Sequence, residues 1–200
     1  GDLIDSRRPS IPPAMELIEG AVKIAPVYYV TGNHEARTRV FTSLKKELEE
    51  AKVHLLDDSI LPLTKDQAYI HIMGLRDPEF FSLSSREETS WMFLSKLEEM
   101  KKESQDFTIL LSHRPEHFAT YVESGVDLVF SGHAHGGQFR IPFIGGLIAP
   151  HQGFFPKYTS GLYQEKNTTM VVSRGIGNSI IPVRVNNPPE IILLELRKGE

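Results

Sequence analysis

The sequence predicts an α/β domain, and three observations carry that prediction. Short β-branched and aromatic runs alternate with apolar stripes at helical spacing. Three of the runs end at a loop bearing histidine. With 40% hydrophobic residues over 200 positions, the chain can bury a core without staples. Strands and helices mixed in this way form layers around one or two sheets. Residues 1–200 read as a single domain, since no linker, repeat or low-complexity stretch divides them.

The elements follow in chain order. Pro12 and Pro13 sit where a first helical turn tolerates them, ahead of a stripe of Met15, Leu17, Ile18, Ala21 and Val22. Val27 to Val30 is a buried strand closed by Thr31-Gly32. Val40, Leu44 and Leu48 recur at helical spacing amid Lys and Glu, which predicts an exposed amphipathic helix. His54 to Leu75 is strand-like, with Tyr69, His71 and Met73 alternating against Ile70 and Ile72. A second amphipathic helix runs from Glu87 to Lys102 on Trp91, Leu94, Leu97 and Met100. Phe107–Leu111 and Leu128–Phe130 are short buried strands, and Met170–Ser173 and Ile191–Leu196 are two last ones.

Composition narrows the function classes. There are 22 Lys plus Arg and 26 Asp plus Glu, so the net charge is 22 − 26 = −4. Such a chain lacks the clustered positive charge of a general nucleic-acid binder, and no specific nucleic acid is expected. Without cysteine there are no disulfides and no thiolate metal sites. No apolar run reaches the roughly 20 residues of a membrane span.

The polar signatures all follow strands. Gly32-Asn33-His34-Glu35 follows the Val27 run, Ser112-His113-Arg114-Pro115 the Phe107 run, and Gly132-His133-Ala134-His135-Gly136-Gly137 the Leu128 run. Ligands of open α/β sheets gather beyond the carboxyl ends of strands, so these loops can converge though distant in sequence. Asp2, Asn33, His113, His133 and His135 together supply carboxylate, amide oxygen and imidazole. That set suits Mn, Fe, Zn or Ni better than Ca or Mg. A shared carboxylate can bridge two such ions about 3.5–4 Å apart, which clamp both oxygens of a phosphoryl displacement.

Gly-Asp-x-x-Asp at Gly1–Asp5, Gly-Asn-His-Glu, a lone His after a strand, and Gly-His-x-His resemble the calcineurin-like metallophosphoesterase superfamily. Gly-His-Ala-His-Gly-Gly-Gln, Gly161-Leu162-Tyr163 and Ser173-Arg174-Gly175-Ile176-Gly177 resemble its bacterial YkuE/YaeI-type branch. The resemblance implies a four-layer α/β/β/α sandwich of two mixed sheets and a dinuclear metal centre. It implies a phosphodiesterase or pyrophosphatase in which a metal-bound hydroxide attacks the phosphate. Asp2 would bridge the metals, Asn33, His113 and His133 would complete one site, and His135 would belong to the other. His34 would be the acid for the leaving oxygen, with Asp5 and Glu35 behind it as orienting groups. Substrates would be phosphate esters, including lipid-linked or nucleotide-sugar ones, and the parent protein would be membrane-associated or exported.

One departure from the family pattern sets a further expectation. The superfamily opens on Asp-x-His at its first strand, which supplies two ligands of the first site, and this sequence begins after that point. The expectation is a domain truncated at its N-terminus, one well-held metal, one weak or empty site, and impaired activity. A non-catalytic metal-binding scaffold for protein contacts and a nuclease of the same superfamily are the alternatives.

The remaining candidates are weighed separately. His54 and His71 are read as packing residues, and His117 as a helix residue that packs more readily than it lines a site. His151 follows the metal loop and can reach substrate. Arg114 and Arg140 can fork onto phosphate oxygens, with an exposed arginine as the plainer reading. Phe80, Phe81, Phe154 and Phe155 suit either an apolar entrance or the core.

Overall fold

In the computed structural model, which describes residues 1–65, 68–83, 85–104, 106–178 and 183–197, helix α1 (Ile11–Val22) carries both prolines in its first turn, where a missing N–H leaves no bond unmade. It buries Ala14, Met15 and Ile18, while Leu17 falls off the expected stripe and is half exposed. Strand β1 (Tyr28–Tyr29) leads into a short helix α2 (Asn33–Arg37), and α3 (Phe41–Glu50) buries Leu44 and Leu48. Strand β2 (His54–Leu55) runs parallel to β1, and β3 (Ser59–Lys65) turns back antiparallel into β4 (Ala68–Gly74).

Helix α4 (Arg86–Lys101) starts at Ser85, whose Oγ accepts the Glu88 N–H, and Glu87 and Glu88 complement its N-terminal dipole. Its buried face is Thr89, Phe93, Leu97 and Met100. Trp91, placed on that face from sequence, is 75% exposed. Two residues from Phe93, it lies about 200° around the helix, so Phe93 and Trp91 cannot share one face.

Strand β5 (Phe107–Leu111), helix α5 (Phe118–Ser124) and strand β6 (Leu128–Ser131) follow. Two small hairpins come next, β7 (Arg140–Ile141) with β8 (Gly145–Gly146) and β9 (Ile148–Ala149) with β10 (Gly153–Phe154). Strands β11 (Gly161–Glu165) and β12 (Thr168–Val172) close the main sheet, whose order is β11-β12-β6-β5-β4-β3. Its four central strands are parallel and its two edges antiparallel, so the sheet is mixed.

The period-2 alternation divides this sheet cleanly. Met73, Leu110, Val129, Met170 and Val172 face Phe93, Leu97, Phe118 and Tyr121 of α4 and α5. Ile72, Ile109, Leu128 and Val171 face the other way, onto Val30 and Leu56 at the ends of β1 and β2. The far side of that pair packs on α1 and α3 through Tyr29, Met15, Ile18, Leu44 and Leu48. Helices, a mixed sheet, a strand pair and helices thus succeed one another.

Two sequence expectations change here. The second sheet was expected to be mixed, but among the described residues it is only the parallel pair β1–β2. The opening segment adds no strand because the N–H groups of Asp2, Leu3 and Ile4 go to the Glu35 carboxylate instead of a ladder. Ile191–Leu196, expected to be a strand, forms none. Leu194 packs on side chains of the sheet face, where no backbone ladder is on offer, and Ile191 and Leu193 stay exposed.

Candidate metal centre

The carboxyl ends of β1, β5 and β6 open onto one place. Gly32 precedes α2 and must lack a side chain, since a Cβ there would sit 2.3 Å from Oδ1 of Asp2. The same Oδ1 accepts the His34 N–H at 2.9 Å. Glu35 is fully buried and accepts the N–H groups of Asp2 (2.8 Å), Leu3 (2.9 Å) and Gly32 (2.7 Å). It therefore fastens the chain's opening segment to the Gly32 turn, and it does not touch His34 through any of these bonds.

Strand β6 ends in a tight loop. His133 and His135 have φ of 62° and 47°, and Asp2 and His151 have 57° and 58°. Side chains other than glycine seldom hold this left-handed region, at a cost of about 1–3 kcal/mol each, and such strain concentrates at functional sites. Asn187 ties the loop down by donating to the carbonyls of His135 (2.7 Å) and Gln138 (3.2 Å). Arg140 holds its other side through Gly136 O at 2.9 Å and Ser160 Oγ at 2.9 Å. This arginine braces the loop through its Nη1.

Four donor atoms meet at the centre. His113 Nε2 lies 3.0 Å from Asp2 Oδ2, 3.2 Å from Asn33 Oδ1 and 3.0 Å from His133 Nδ1. Asn33, His113 and His133 are buried. A single Nε2 proton on His113 satisfies one of these three neighbours and leaves other lone pairs facing each other. Ligands bonded to one ion at about 2.0–2.2 Å stand about 2.9–3.4 Å apart, so the spacing and the donor types fit one divalent cation.

The electrostatics point the same way. Burial pushes the Asp2 carboxyl upward, but His113 beside it and the His34 N–H outweigh burial and hold it well below the usual carboxylate range. His133 is driven far below an ordinary imidazole, chiefly by burial and then by His113 and Arg114. A carboxylate kept ionised beside an imidazole kept neutral is a ligand pair ready for a cation.

The other face of His133 is already occupied by a cation. Arg114, 2% exposed, places Nη1 3.1 Å from His133 Nε2 and 2.8 Å from His151 Nδ1, and these two ring nitrogens lie 2.9 Å apart. Its Nε and Nη2 form a bidentate pair with Asp77 at 2.6 and 2.8 Å, and Nη2 also reaches Glu79 at 3.0 Å. The Asp77 pair, with Glu116 and Glu79, outweighs burial and raises an already basic guanidinium. Glu116, His133 and His151 offer a second trio of donor atoms within 4.8 Å, but the guanidinium in their midst repels a metal ion.

The sequence profile of the calcineurin-like phosphoesterase family matches residues 1–137. The chain belongs to this family. It is 41% identical over 91 residues to the uncharacterized metallophosphoesterase YkuE of Bacillus subtilis, covering 46% of the chain and 31% of YkuE. It is 30% identical over 200 residues to the uncharacterized metallophosphoesterase Cj0846 of Campylobacter jejuni, covering 98% of the chain and 49% of that protein. Over 88 residues it is 34% identical to the phosphodiesterase YaeI of Escherichia coli, covering 44% of the chain and 32% of YaeI. The matched stretches span 31–49% of these relatives' lengths. The family uses divalent metals, in keeping with the donor set.

Within this phosphoesterase domain, the other expected residues separate. His135 joins neither trio of clustered donor atoms, although its charge still couples to Asp2 and burial lowers its pKa to about 4. His34 Nδ1 accepts the Ser6 N–H at 2.9 Å, and exposed Asp5 stands 3.4 Å from the same nitrogen. His151 reaches Arg114 and His133 as above. His117 is a packing residue, bonded to Ser90 Oγ at 2.9 Å and edge-on to Phe93. His71 bonds Ser104 Oγ at 2.6 Å, and His54 stacks on Tyr28. Phe80 and Phe81 lie under the Arg76 guanidinium, whereas Phe154 and Phe155 are exposed.

Arg114 is the main correction to the sequence reading. It is neither exposed nor free to fork onto phosphate, because Asp77 and Glu79 take Nε and Nη2 while Nη1 faces His133 and His151. Sequence reasoning missed Asp77, Glu79 and Glu116. A signal did exist for the first two, since Arg76-Asp77-Pro78-Glu79 follows the carboxyl end of β4 as the histidine loops follow their strands.

Proposed function

We propose that the chain is a metal-dependent phosphohydrolase whose divalent ion is held by Asp2, Asn33, His113 and His133. The approach of the Asp2, Asn33 and His133 atoms to His113 Nε2 at 3.0–3.2 Å carries the reading. His135 is read as a ligand of a second ion that would share Asp2, and Mn, Fe, Zn and Ni are the metals whose preferences match the ligands. When bound, a divalent ion polarises a phosphoryl oxygen and activates the attacking water. The bond cleaved is a phosphodiester or a pyrophosphate, and the name of the relative YaeI, a phosphodiesterase, favours the first.

The chain's own residues do the rest. Because the Ser6 amide donates to Nδ1 of His34, the neutral ring carries its proton on Nε2, where it would hydrogen-bond the leaving oxygen. The His34 amide and the Glu35 clamp fix the Asp2 carboxylate in place. Arg114 fixes the His133 ring from behind. With Mn²⁺ added, the chain should hydrolyse bis-p-nitrophenyl phosphate. His34→Ala should lower kcat about 10²-fold or more with the metal still bound, and His133→Ala should lose both metal and activity. Absence of hydrolysis with every one of the four metals would sink the reading.

A further inference from the structure

The stretch from Ser173 to Gly177 is a sequence motif that the metal centre leaves unused. It follows the carboxyl end of β12, and the Ser173 N–H donates to Ser131 O at 2.9 Å, beside the loop that carries His133 and His135. A second segment, residues 183–187, is laid along that same loop. Val185 bridges Phe139 and accepts the Arg140 N–H at 2.9 Å, the Gln138 side chain donates to Val183 O, and Asn187 donates to His135 O at 2.7 Å. Arg184 stands between these fixed points. Val183 and Val185 are exposed, whereas Arg184 turns inward and buries its Nε and Nη1. Its Nη2 donates to the carbonyls of Gly177 and, at 3.0 Å, of Arg174.

The charge here is unbalanced in the sense opposite to the metal centre. From Ser173 to Glu190 the chain carries Arg174, Arg184 and a single carboxylate, Glu190. Arg174 takes that carboxylate: its backbone N–H donates to Oε1 at 2.8 Å, and its Nε lies 3.4 Å from Oε2. Arg184 is left with carbonyl partners, and its buried Nε and Nη1 have no hydrogen-bond partner among the described residues. A buried donor without an acceptor is costly, more so when it is charged. Burial lowers the Arg184 pKa, Glu190 opposes this and Arg174 adds to it, the reverse of the raised pKa of carboxylate-paired Arg114. The charge of Arg184 also reaches the metal side: burial lowers the His135 pKa, Asp2 opposes this and Arg184 adds to it.

We propose that Arg184, backed by Arg174, is an oxyanion-binding residue at the end of β12 beside the His135 loop, and that it receives an anionic oxygen of the substrate. A guanidinium keeps its charge even when its pKa falls, and its planar donors suit the oxygens of phosphate, sulfate and carboxylate groups. The assignment of the anion to the substrate rests on the hydrolase reading, whereas the anion site itself does not.

Calorimetric titration of the metal-free chain with sulfate, in a chelator, tests the site by itself. The chain should bind sulfate, and Arg184→Gln should weaken that binding about tenfold or more. Arg184→Lys, which keeps the charge and loses the planar donors, should fall between the two. Glu190→Gln removes the competing carboxylate and should tighten binding. Thermal unfolding without sulfate should be the same for Arg184→Gln and the unsubstituted chain, because glutamine keeps a donor for the Arg174 and Gly177 carbonyls. No binding, or equal binding by the chain and Arg184→Gln, overturns the proposal. With Mn²⁺ and bis-p-nitrophenyl phosphate, sulfate should inhibit competitively, and its inhibition constant should rise about tenfold in Arg184→Gln. Non-competitive inhibition that Arg184→Gln abolishes would make the anion a free ion and overturn its assignment to the substrate. Absence of hydrolysis would end the hydrolase reading, while sulfate binding still decides the site.

Discussion

The two faces of His133 solve the same problem in opposite ways. On the Nε2 face, the Arg114 guanidinium meets Asp77 and Glu79 in full hydrogen-bonding geometry, and positive and negative charge balance within the chain. On the Nδ1 face, Asp2, Asn33 and His113 bring lone pairs together with too few protons to pair them. Burial is nearly as deep on both faces, so burial alone does not mark a site. What marks it is a local deficit of positive charge among convergent donors. The balanced face is a support, and the deficient one is where a cation belongs.

This contrast is sharpened first by breaking the balanced face. Asp77→Ala leaves a buried guanidinium without its bidentate partner and should destabilise the metal-free chain by about 3–5 kcal/mol, measured by denaturant unfolding in a chelator. A loss below about 1 kcal/mol would mean that Glu79 and Glu116 rebalance Arg114 unaided.

The deficient face should instead gain from what it lacks. Mn²⁺ at a hundred times its Kd should add about 2.7 kcal/mol to unfolding stability, and His133→Ala should remove that gain. An equal gain in the variant would place the binding elsewhere.

Acid tests the buried histidines. His117 and His135 titrate at about 4 when folded, below the ordinary 6.5, because burial disfavours their charged forms. The folded chain then binds fewer protons than the unfolded one between these values. Their contribution is complete above pH 6.5 and is lost as pH falls towards 4, by at most about 1.4 kcal/mol per pH unit for each ring. Denaturant unfolding at a series of pH values should show this loss, and His117→Asn should flatten it. The smallest effect belongs to the exposed rim, where Arg37 pairs with Glu79 at 2.5 Å. There Arg37→Gln should cost less than about 1 kcal/mol, in contrast to Asp77→Ala one contact further in.

Much of the deficient face was legible in the sequence. Asn33, His113 and His133 each follow a strand of readable apolar character, and glycines flank two of the three loops. The balanced face was not. Arg114 and Asp77 are 37 residues apart, and nothing in Ser-His-Arg-Pro tells whether its guanidinium will be buried or exposed. Helix faces show the same limit: Leu44 and Leu48 were read correctly, while Trp91 was assigned inward on hydrophobicity although Phe93 held the phase. Ile191–Leu196 has the composition of a strand, but a strand needs a neighbour with free backbone groups, and sequence pattern does not report neighbours.

Metal analysis of the chain after equilibrium dialysis against Mn²⁺ tests the central claim most directly, with His113→Ala alongside. The chain should retain one tightly held ion, and His113→Ala should retain none, since His113 Nε2 is the atom that the other three donors surround. Equal retention by the two chains, or none by the unsubstituted one, would contradict the account.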